Sequence, residues 1–326
     1  MPDSKKILVT GGAGFIGSNL VEALLKDERV GLVRVLDDLS NGYFENISEF
    51  LGNPKFEFIK GDICDFQTCI NSMKGINLIS HQAALGSVPR SIENPMRSTE
   101  VNILGTVNVL KACVDEKVER IVLACSSSTY GDHPGLPKVE DKTGNPLSPY
   151  AVTKKCVEDF AQVFQRSYGL NFIGLRYFNV FGPKQNPNNP YAAVIPLFCK
   201  AFLEGQSPII NGDGETSRDF TYVDNAVQAN LLSLFTENEN ALNEVYNVAC
   251  GEQTTLNEMV NLLNQISSLQ LMPTYQDERK GDVKHSLASI DKAVEKLNYM
   301  PDKKFKEGLK EVFNWYLTKT LPHSTK

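Results

Sequence analysis

The sequence predicts an α/β fold in which a doubly wound parallel sheet is followed by a smaller C-terminal α/β domain. In the first half, short apolar runs such as "KKILV", "LVRVLDD" and "INLIS" alternate with segments of helical periodicity. In the second half, this alternation gives way to a loop rich in Pro and Asn, "NPNNPYAAVIP", and to turn-rich segments. Strands separated by helices pair in parallel through right-handed crossovers, which is the Rossmann-like arrangement.

The individual elements follow from local patterns. The run from Ile7 to Val9 is the first strand, and apolar positions at helical spacing after a glycine cluster predict the first helix. Further strands are expected in "KFEFIKGDI" and "ERIVLACSSS", and cap signals predict helices that begin near Asp224 and at Thr254 or Thr255. We expect a first domain over 1–179 and a second over 180–326. The boundary is soft, because the helix near 223–236 is able to pack back on the first domain.

Composition excludes several classes of protein. The chain has 326 residues, 41% hydrophobic and 22% charged, with a net charge of −6 and no basic stripe, so nucleic acid is not an expected partner. No apolar run approaches the length of a membrane span. Seven scattered cysteines without a Cys-x-x-Cys pair, and only four histidines, predict reduced thiols in a cytoplasm and no metal site.

A glycine-rich turn between the first strand and the first helix predicts a dinucleotide-binding loop. Gly11, Gly12, Gly14 and Gly17 occupy this turn, where glycine lets the backbone bend sharply and approach a pyrophosphate. The N-terminus of the following helix offers free N–H groups and a favourable dipole. A turn of this kind can also be purely structural, so the prediction depends on its position between strand and helix.

An aspartate at the end of the second strand indicates which nucleotide the loop would hold. Asp37 stands 20 residues after Gly17, where a carboxylate can accept hydrogen bonds from both hydroxyls of a ribose. Because the carboxylate repels a 2′-phosphate, NAD is favoured over NADP. Further candidates are Asp38 and Asn41 beside Asp37, and Asp62 and Ile63 near the adenine. The aspartate at 62 is equally interpretable as a helix cap.

The segment "SPYAVTKK" places a tyrosine and a lysine four positions apart, on one face of a helix that begins near Pro149. We expect Tyr150 to act as a base, because the ammonium of Lys154 and a positive nicotinamide would lower the pKa of the phenol. The serines of "ACSSSTYGD" lie at the carboxyl end of a strand, where a hydroxyl can relay a proton. An exposed helix pair is the alternative interpretation of Tyr-x-x-x-Lys.

The motifs "TGGAGFIGS", "HQAA", "SSSTYGD" and "SPYAVTK" resemble the nucleotide-sugar branch of the extended short-chain dehydrogenase/reductase family, from Ile7 to about Tyr316. The segments "LGSVPRS", "LRYFNVFGP", "NGDGETSRDF" and "GDVKHSLA" are similar to those of the UDP-N-acetylglucosamine (UDP-hexosamine) 4-epimerases of bacterial surface-polysaccharide pathways. The resemblance implies an isomerase that keeps NAD bound and inverts C4 of a UDP-sugar through a 4-keto intermediate.

The resemblance also implies the residues of each site. The NAD site would comprise Gly11, Gly14, Phe15, Ile16, Asp37, Asp38, Asn41, Asp62, Ile63, Gln82, Ala83, Ala84 and Asn102, with Tyr150, Lys154, Tyr177 and Val180 near the nicotinamide. The UDP-sugar site would comprise Ser87, Val88, Arg90, Ser126, Ser127, Asn179, Val194, Arg218, Arg279, Asp282 and Ser286. Tyr150 would be the catalytic base, assisted by Lys154, Ser126 and Ser127, and the two later arginines suit diphosphate oxygens.

Further expectations concern specificity, alternative functions and assembly. Ser127 and Ser128 stand where related dehydratases carry an acidic pair, which disfavours a 4,6-dehydratase and weakens a decarboxylase interpretation. Ser286 leaves room for an N-acetyl group where a tyrosine would crowd it, although Ala288-Ser289 departs from the family's usual Ala-Asp. The remaining alternative is a non-catalytic NAD-sensing protein, and apolar helix faces around 95–116 and 150–168 indicate a homodimer.

Overall fold

The computed structural model describes residues 4–278 and 284–320, which form thirteen strands and eleven α-helices. The strands are β1 (Lys5–Thr10), β2 (Val30–Asp37), β3 (Phe56–Lys60), β4 (Leu78–His81), β5 (Arg120–Ser126), β6 (Asn171–Tyr177), β7 (Val180–Phe181), β8 (Ile209–Asn211), β9 (Ser217–Arg218), β10 (Thr221–Tyr222), β11 (Glu244–Val248), β12 (Thr254–Thr255) and β13 (Thr274–Gln276). The helices are α1 (Phe15–Lys26), α2 (Phe66–Met73), α3 (Val88–Glu93), α4 (Pro95–Thr99), α5 (Thr106–Asp115), α6 (Pro149–Tyr168), α7 (Val194–Leu203), α8 (Val223–Phe235), α9 (Leu256–Ser267), α10 (Asp291–Leu297) and α11 (Phe305–Thr320).

The central sheet has seven parallel strands in the order β11-β6-β5-β4-β1-β2-β3. The predicted doubly wound parallel sheet is therefore confirmed. The chain moves outward from β1 through β2 and β3, and then crosses back to β4 on the other side of β1. Ligands bind outside the carboxyl ends of the strands at such a reversal. Those ends are formed by Thr10, Asp37, His81, Ser126 and Tyr177.

Local capping explains where two of the predicted helices begin. Ser148 caps α6 by accepting a hydrogen bond from the backbone N–H of Ala151, and proline occupies the first turn, where it removes no helical hydrogen bond. Thr255 caps α9 in a reciprocal capping box with Glu258. Both predicted starts are thus confirmed.

Helices cover both faces of the sheet. α1 and α8 pack together against one face, and α2, α5 and α6 pack against the other, so two apolar cores are separated by the sheet. α8 comes from the second half of the chain and yet contacts β4, β5 and β6. The division at 179 and 180 stays a prediction. Within residues 4–278 and 284–320, no helix combines the length and apolar character needed to cross a bilayer.

Three short strand pairs and the mutually packed helices α7, α9 and α11 lie beyond the carboxyl ends of β6 and β5. β9 pairs with β12, β8 with β13 and β7 with β10. Phe181, Phe220 and Phe305 form a cluster of ring contacts beneath them, with centroids 5.0 to 6.3 Å apart. This packing fixes the second wall of a cleft whose first wall is the end of the sheet.

Candidate active site

The glycine turn is shaped by close backbone approaches. Gly11 has a φ of +69°, and a Cβ there would lie 2.6 Å from the backbone N of Ala83. A Cβ on Gly17 would lie 2.1 Å from the carbonyl oxygen of Gly11, which no side chain can occupy. Gly14 caps α1 without a side-chain hydrogen bond. The first N–H groups of α1 are therefore left for a ligand such as a phosphate.

A cavity of about 300 Å³ opens over this turn. Its lining includes the predicted cofactor residues Gly11, Gly14, Phe15, Ile16, Asp37, Asp38, Asn41, Asp62, Ile63, Gln82, Ala83, Ala84, Tyr150, Lys154 and Tyr177. We call it the cofactor cavity. The predicted set is thus brought to one place by the carboxyl ends of β1, β2, β3, β4 and β6 and by the start of α6, although its members are spread over residues 11–177.

Asp37 has a structural role in addition to the predicted one. Its carboxylate accepts hydrogen bonds from the backbone N–H of Ala13 at 2.9 Å and of Leu39 at 2.8 Å. Burial raises the pKa of this carboxyl, and the two backbone hydrogen bonds oppose that effect. Asp37 therefore fixes the backbone of the glycine turn by hydrogen bonding and also lines the cofactor cavity.

The far end of the cofactor cavity contains an ion-pair cluster that the sequence did not reveal. Arg97 donates a hydrogen bond to Asp62 at 3.2 Å and lies 3.9 Å from a carboxylate oxygen of Asp38. Asp62 also accepts from the backbone N–H of Cys64. The cap of α2 is Asp65, so the interpretation of Asp62 as a helix cap is wrong. No local pattern in the sequence singles out Arg97, which reaches this site from α4.

The Tyr150 phenol and the Lys154 ammonium lie at the inner end of the cofactor cavity. Lys154 is 5% exposed and donates a 2.7 Å hydrogen bond to the carbonyl of Ala124. Burial lowers the pKa of Lys154 and raises the pKa of Tyr150, while the contact with the Ser126 side chain lowers the pKa of the phenol. With the protein residues alone the pKa of Tyr150 is raised, because desolvation outweighs the favourable contact; the lowering expected from Lys154 together with a nicotinamide stays a prediction.

A buried amide network supports Tyr177, and sequence reasoning missed most of it. The hydroxyl of Tyr177 accepts hydrogen bonds from Asn230 at 2.7 Å and from Gln82 at 3.1 Å. Asn230 also accepts from Ser80 and from Gln82. Ser80 lies on β4 and Asn230 on α8. A network joined across the sheet in this way fixes the ring of Tyr177 beside Tyr150 in the cleft.

Two predicted cofactor residues do not line the cofactor cavity. Asn102 is buried, and its amide bonds the backbone N–H and C=O of Leu85 and the hydroxyl of Thr153. It therefore braces the cavity wall from behind. Val180 lies in the two cavities that continue the cleft beyond Tyr177.

The cleft continues into a central cavity of about 500 Å³, which shares Tyr150 and Tyr177 with the cofactor cavity. Its lining includes the predicted substrate residues Ser87, Arg90, Ser126, Ser127 and Asn179. Arg90 donates to the side chain of Asn41 at 3.0 Å and stacks on the ring of Tyr191. No aspartate or glutamate belongs to the described lining of this cavity.

A third cavity of about 550 Å³ meets the central one at Asn179 and Val180 and contains Val194 and Arg218. The guanidinium of Arg218 donates to the carbonyls of Ser217 at 2.9 Å and Lys284 at 3.1 Å. We call this third space the arginine cavity. Because the Arg218 guanidinium is held by two backbone carbonyls, it has a defined orientation toward an anionic ligand.

The other predicted substrate residues lie elsewhere. Val88 is 40% exposed on α3 and lines none of the three cavities. Ser286 is half-buried, and its backbone N–H donates to the carbonyl of Ser217. Arg279 and Asp282 lie outside the described residues.

The cofactor cavity fits NAD in three respects. The Gly11 and Gly17 contacts leave room for a backbone approach that a Cβ would fill, the first turn of α1 has free N–H groups, and Asp37 suits a ribose without a 2′-phosphate. Tyr150 and Lys154 then lie at the end where the nicotinamide would be. The three cavities together provide for a dinucleotide, a reacting group and an anionic ligand along one cleft.

Comparisons with known proteins agree with this arrangement. The profile of the "NAD dependent epimerase/dehydratase family" matches residues 7–249. A UDP-N-acetylglucosamine 4-epimerase from Methanobrevibacter ruminantium, solved with UDP-N-acetylmuramic acid, is 40% identical, with a TM-score of 0.90 over 97% of this chain and 99% of that one. A UDP-glucose 4-epimerase from Thermotoga maritima, solved with UDP-glucose, is 36% identical, with a TM-score of 0.90 over 97% and 100%.

A third solved structure contains the cofactor. It is a UDP-glucuronic acid 4-epimerase from Bacillus cereus, in complex with UDP-glucuronic acid and NAD. It is 32% identical to this chain, with a TM-score of 0.89 over 96% of this chain and 99% of that one. These three similar proteins act on different UDP-sugars.

Proposed function

Because this chain belongs to the NAD dependent epimerase/dehydratase family, we propose that it inverts C4 of UDP-N-acetylhexosamines. The coarser statement is that the chain is an NAD-dependent UDP-sugar 4-epimerase, an isomerase, as its similar proteins are. The finer statement is the choice of sugar, UDP-GlcNAc and UDP-GalNAc. Plain and uronic forms remain as competing substrates.

One observation carries the proposal. The Tyr150 phenol lies where the cofactor cavity meets the central cavity, which Ser126 at the end of β5 also lines. A single acid–base group at such a junction is able to serve a sugar hydroxyl and a hydride acceptor together. The described lining of the central cavity offers no carboxylate to remove a C5 proton. This disfavours the dehydratase and decarboxylase alternatives.

The chemistry divides between cofactor and protein. The lining of the cofactor cavity would hold NAD, which would supply a reversible hydride acceptor for C4 of the sugar. Tyr150 takes the 4-hydroxyl proton as the carbonyl forms and returns it when the carbonyl is reduced, so protons balance over one turnover. Ser126 orients the phenol toward that oxygen. Lys154, held by the carbonyl of Ala124, keeps a positive charge beneath the nicotinamide end.

The route of the substrate follows from the two outer cavities. A diphosphate in the arginine cavity would meet Arg218, whose guanidinium suits its oxygens. The hexose would then occupy the central cavity between Ser126 and Asn179. A sugar tethered only through its diphosphate can turn its other face toward Tyr150. The volume of the central cavity, about 500 Å³, leaves space for that rotation.

Preference for N-acetylated sugars rests on Ser286 and on the similar protein that acts on UDP-GlcNAc. Ser286 lies two residues after Lys284, whose carbonyl accepts a hydrogen bond from Arg218, so it is close in the chain to the arginine cavity. A serine there leaves room for a C2 N-acetyl group. The N-acetylglucosamine enzyme of M. ruminantium is the 40% identical neighbour, which supports this preference.

The purified protein tests the function directly. We expect denaturation to release about one NAD per chain, and incubation with UDP-GlcNAc and no added nucleotide to give a mixture with UDP-GalNAc. UDP-Glc and UDP-GlcNAcA run beside it measure the preference. A product of different mass would indicate a lyase. Protein without nucleotide and inert toward all three sugars would indicate the sensing alternative.

The association state belongs to the same proposal. We propose a cytoplasmic homodimer formed through α4, α5 and α6, because Met96 on α4 is 80% exposed and Val163 on α6 and Leu104 in the helical segment that joins α4 to α5 are each 50% exposed. Apolar faces of this kind are buried when helices pair across a twofold axis. Light scattering of the wild type and of Met96→Glu with Leu104→Glu tests it. A wild-type monomer would contradict it.

A further inference from the structure

Asp219 is a buried carboxylate that none of the roles above assigns. It lies between β9 and β10, is 0% exposed, and accepts hydrogen bonds from three backbone N–H groups. These donors are Cys250 at 3.0 Å, Gly251 at 3.1 Å and Ala288 at 3.2 Å. A carboxylate satisfied by backbone donors from two distant segments holds those segments in one geometry.

One of these segments holds Arg218. The carbonyl of Lys284 accepts a hydrogen bond from the Arg218 guanidinium, and the N–H of Ser286 donates to the carbonyl of Ser217 at 3.1 Å. Asp219 fixes the same segment at Ala288. The orientation of the guanidinium in the arginine cavity therefore depends on a chain segment that Asp219 anchors.

The backbone of Asp219 reaches the other side of the cleft. Its carbonyl accepts a 3.0 Å hydrogen bond from the side chain of Asn179, which lines both the central and the arginine cavity. Asn179 has a φ of +39°, an unusual backbone conformation that needs support from its surroundings. Asp219 thus bonds both the segment that holds Arg218 and the side chain of Asn179, where the central cavity meets the arginine cavity.

We propose that Asp219 is a positioning residue for the UDP-sugar, because it fixes Arg218 through the segment 284–288 and Asn179 through its own carbonyl. The proposal rests on the proposed function, since it takes a UDP group as the occupant of the arginine cavity. It assigns Asp219 no contact with substrate. The residue is expected to affect substrate binding and to leave retention of NAD unchanged.

The sign of the effect separates positioning from charge. Asp219→Asn keeps the shape of the side chain and removes one negative charge near an anion-binding cavity. Through-space electrostatics alone would then strengthen the binding of UDP. Positioning predicts weaker binding, because an amide nitrogen cannot accept from the backbone N–H groups that the carboxylate bonds. The two accounts therefore predict changes in opposite directions.

The experiment measures UDP binding by calorimetry for the holoenzyme, Asp219→Asn, Arg218→Ala and the double variant. We expect UDP affinity to fall about tenfold in Asp219→Asn, with KM for the UDP-sugar rising by a similar factor and kcat changing less. In the double variant the affinity should match that of Arg218→Ala alone, because both changes remove one interaction. NAD released on denaturation should equal that of the wild type.

Controls keep the outcome interpretable. Tyr246→Phe removes a buried hydrogen bond to the carbonyl of Ala241, at the β11 edge of the sheet and away from the cleft. It serves as a control for the stability that Asp219→Asn is expected to lose. If Asp219→Asn does not fold, Ser217→Ala removes the hydroxyl bond to His285 in the same segment and should weaken UDP binding about threefold.

The possible results differ clearly. Unchanged or tighter UDP binding in a folded Asp219→Asn protein, additive losses in the double variant, or unchanged binding in Ser217→Ala used as the fallback overturns the positioning role. A wild type that does not bind UDP instead refutes the proposed function.

Discussion

The hydroxyl of Ser126 and the phenol of Tyr150 both line the central cavity, where the end of β5 meets the first turn of α6. Burial raises the pKa of Tyr150, and the contact with Ser126 lowers it. The ammonium of Lys154 donates to the carbonyl of Ala124. The serine is thus the protein contact that favours the ionised phenol, a role that the sequence had suggested for the lysine.

Replacing Ser126 should therefore move the pH dependence of turnover. Activity requires the phenolate, so kcat rises as pH increases through the pKa of Tyr150. Ser126→Ala removes the hydroxyl whose contact lowers this pKa, and we expect the rise of kcat to shift to higher pH. Profiles of kcat against pH check the shift. Ser72→Ala, whose hydroxyl bonds Thr68 on α2, should keep the wild-type profile; a shift toward lower pH in Ser126→Ala would contradict the assignment.

Tyr150→Phe should abolish most of the turnover and leave the fold intact. General acid–base catalysis contributes about 10²- to 10⁴-fold, so we expect kcat to fall by that factor while UDP binding changes little. Tyr168→Phe is the matched control, because Tyr168 is 54% exposed at the other end of the same helix. Wild-type turnover in Tyr150→Phe would remove the basis of the proposed mechanism.

The sheet, the glycine turn and the Tyr-x-x-x-Lys helix could be predicted because each depends on residues close together in the chain. Gly17 and Tyr150 have local spacing that places them in the first turns of α1 and α6. Arg97 and Asn230 could not be predicted in the same way. They reach the cleft from α4 and α8 through tertiary packing, and no local pattern marks them.

The resemblance alone did not distinguish contact from support. Asn102 was expected in the NAD site, whereas its amide bonds Leu85 and Thr153 behind the cavity wall. The role of Asp219 could not be predicted from the sequence, because it depends on hydrogen bonds from three backbone N–H groups in distant segments. A family motif records that a residue belongs near a site, and only the hydrogen-bond partners show how it acts.

Gly17→Ala should reduce the NAD content of the purified protein. The added Cβ would lie 2.1 Å from the carbonyl oxygen of Gly11, so the turn must move away from its phosphate-binding geometry. We expect retained NAD to fall about tenfold, measured after denaturation. Gly205→Asn is the control, because its φ of +66° suits asparagine and nothing lies within 4 Å of a Cβ there. Full NAD content in a folded Gly17→Ala protein would exclude this turn as the phosphate site.

Ser286→Tyr should change the choice of sugar more than the rate of chemistry. A phenol ring at this position, two residues from the Lys284 carbonyl that bonds Arg218, would crowd a C2 N-acetyl group, so we expect kcat/KM for UDP-GlcNAc to fall about 10- to 100-fold and that for UDP-Glc to change little. Parallel assays of both sugars give the ratio. Ser286→Ala, which adds no bulk, should keep the wild-type preference. Unimpaired epimerisation of UDP-GlcNAc by Ser286→Tyr would refute the gate.

His81 should make the protein less stable in acid. Its two ring nitrogens bond the hydroxyls of Thr10 at 2.7 Å and Thr106 at 3.0 Å, and burial, reinforced by the charge of Lys154, lowers its pKa to about 3. The unfolded chain binds this proton near pH ~6.5, so the free energy of unfolding falls by about 1.4 kcal/mol per pH unit as pH decreases toward 3. His81→Gln binds no such proton. Urea unfolding at pH 7, 6 and 5 should therefore give a free energy of unfolding that falls less steeply with decreasing pH than that of the wild type, by up to that amount per pH unit. Ser233→Ala loses a buried hydrogen bond to Ala229 but no titrating group. It should lower the free energy of unfolding by a constant amount at every pH, so its pH slope should match that of the wild type. If His81→Gln keeps the wild-type slope, the histidine is not held neutral by its burial between β1, β4 and α5.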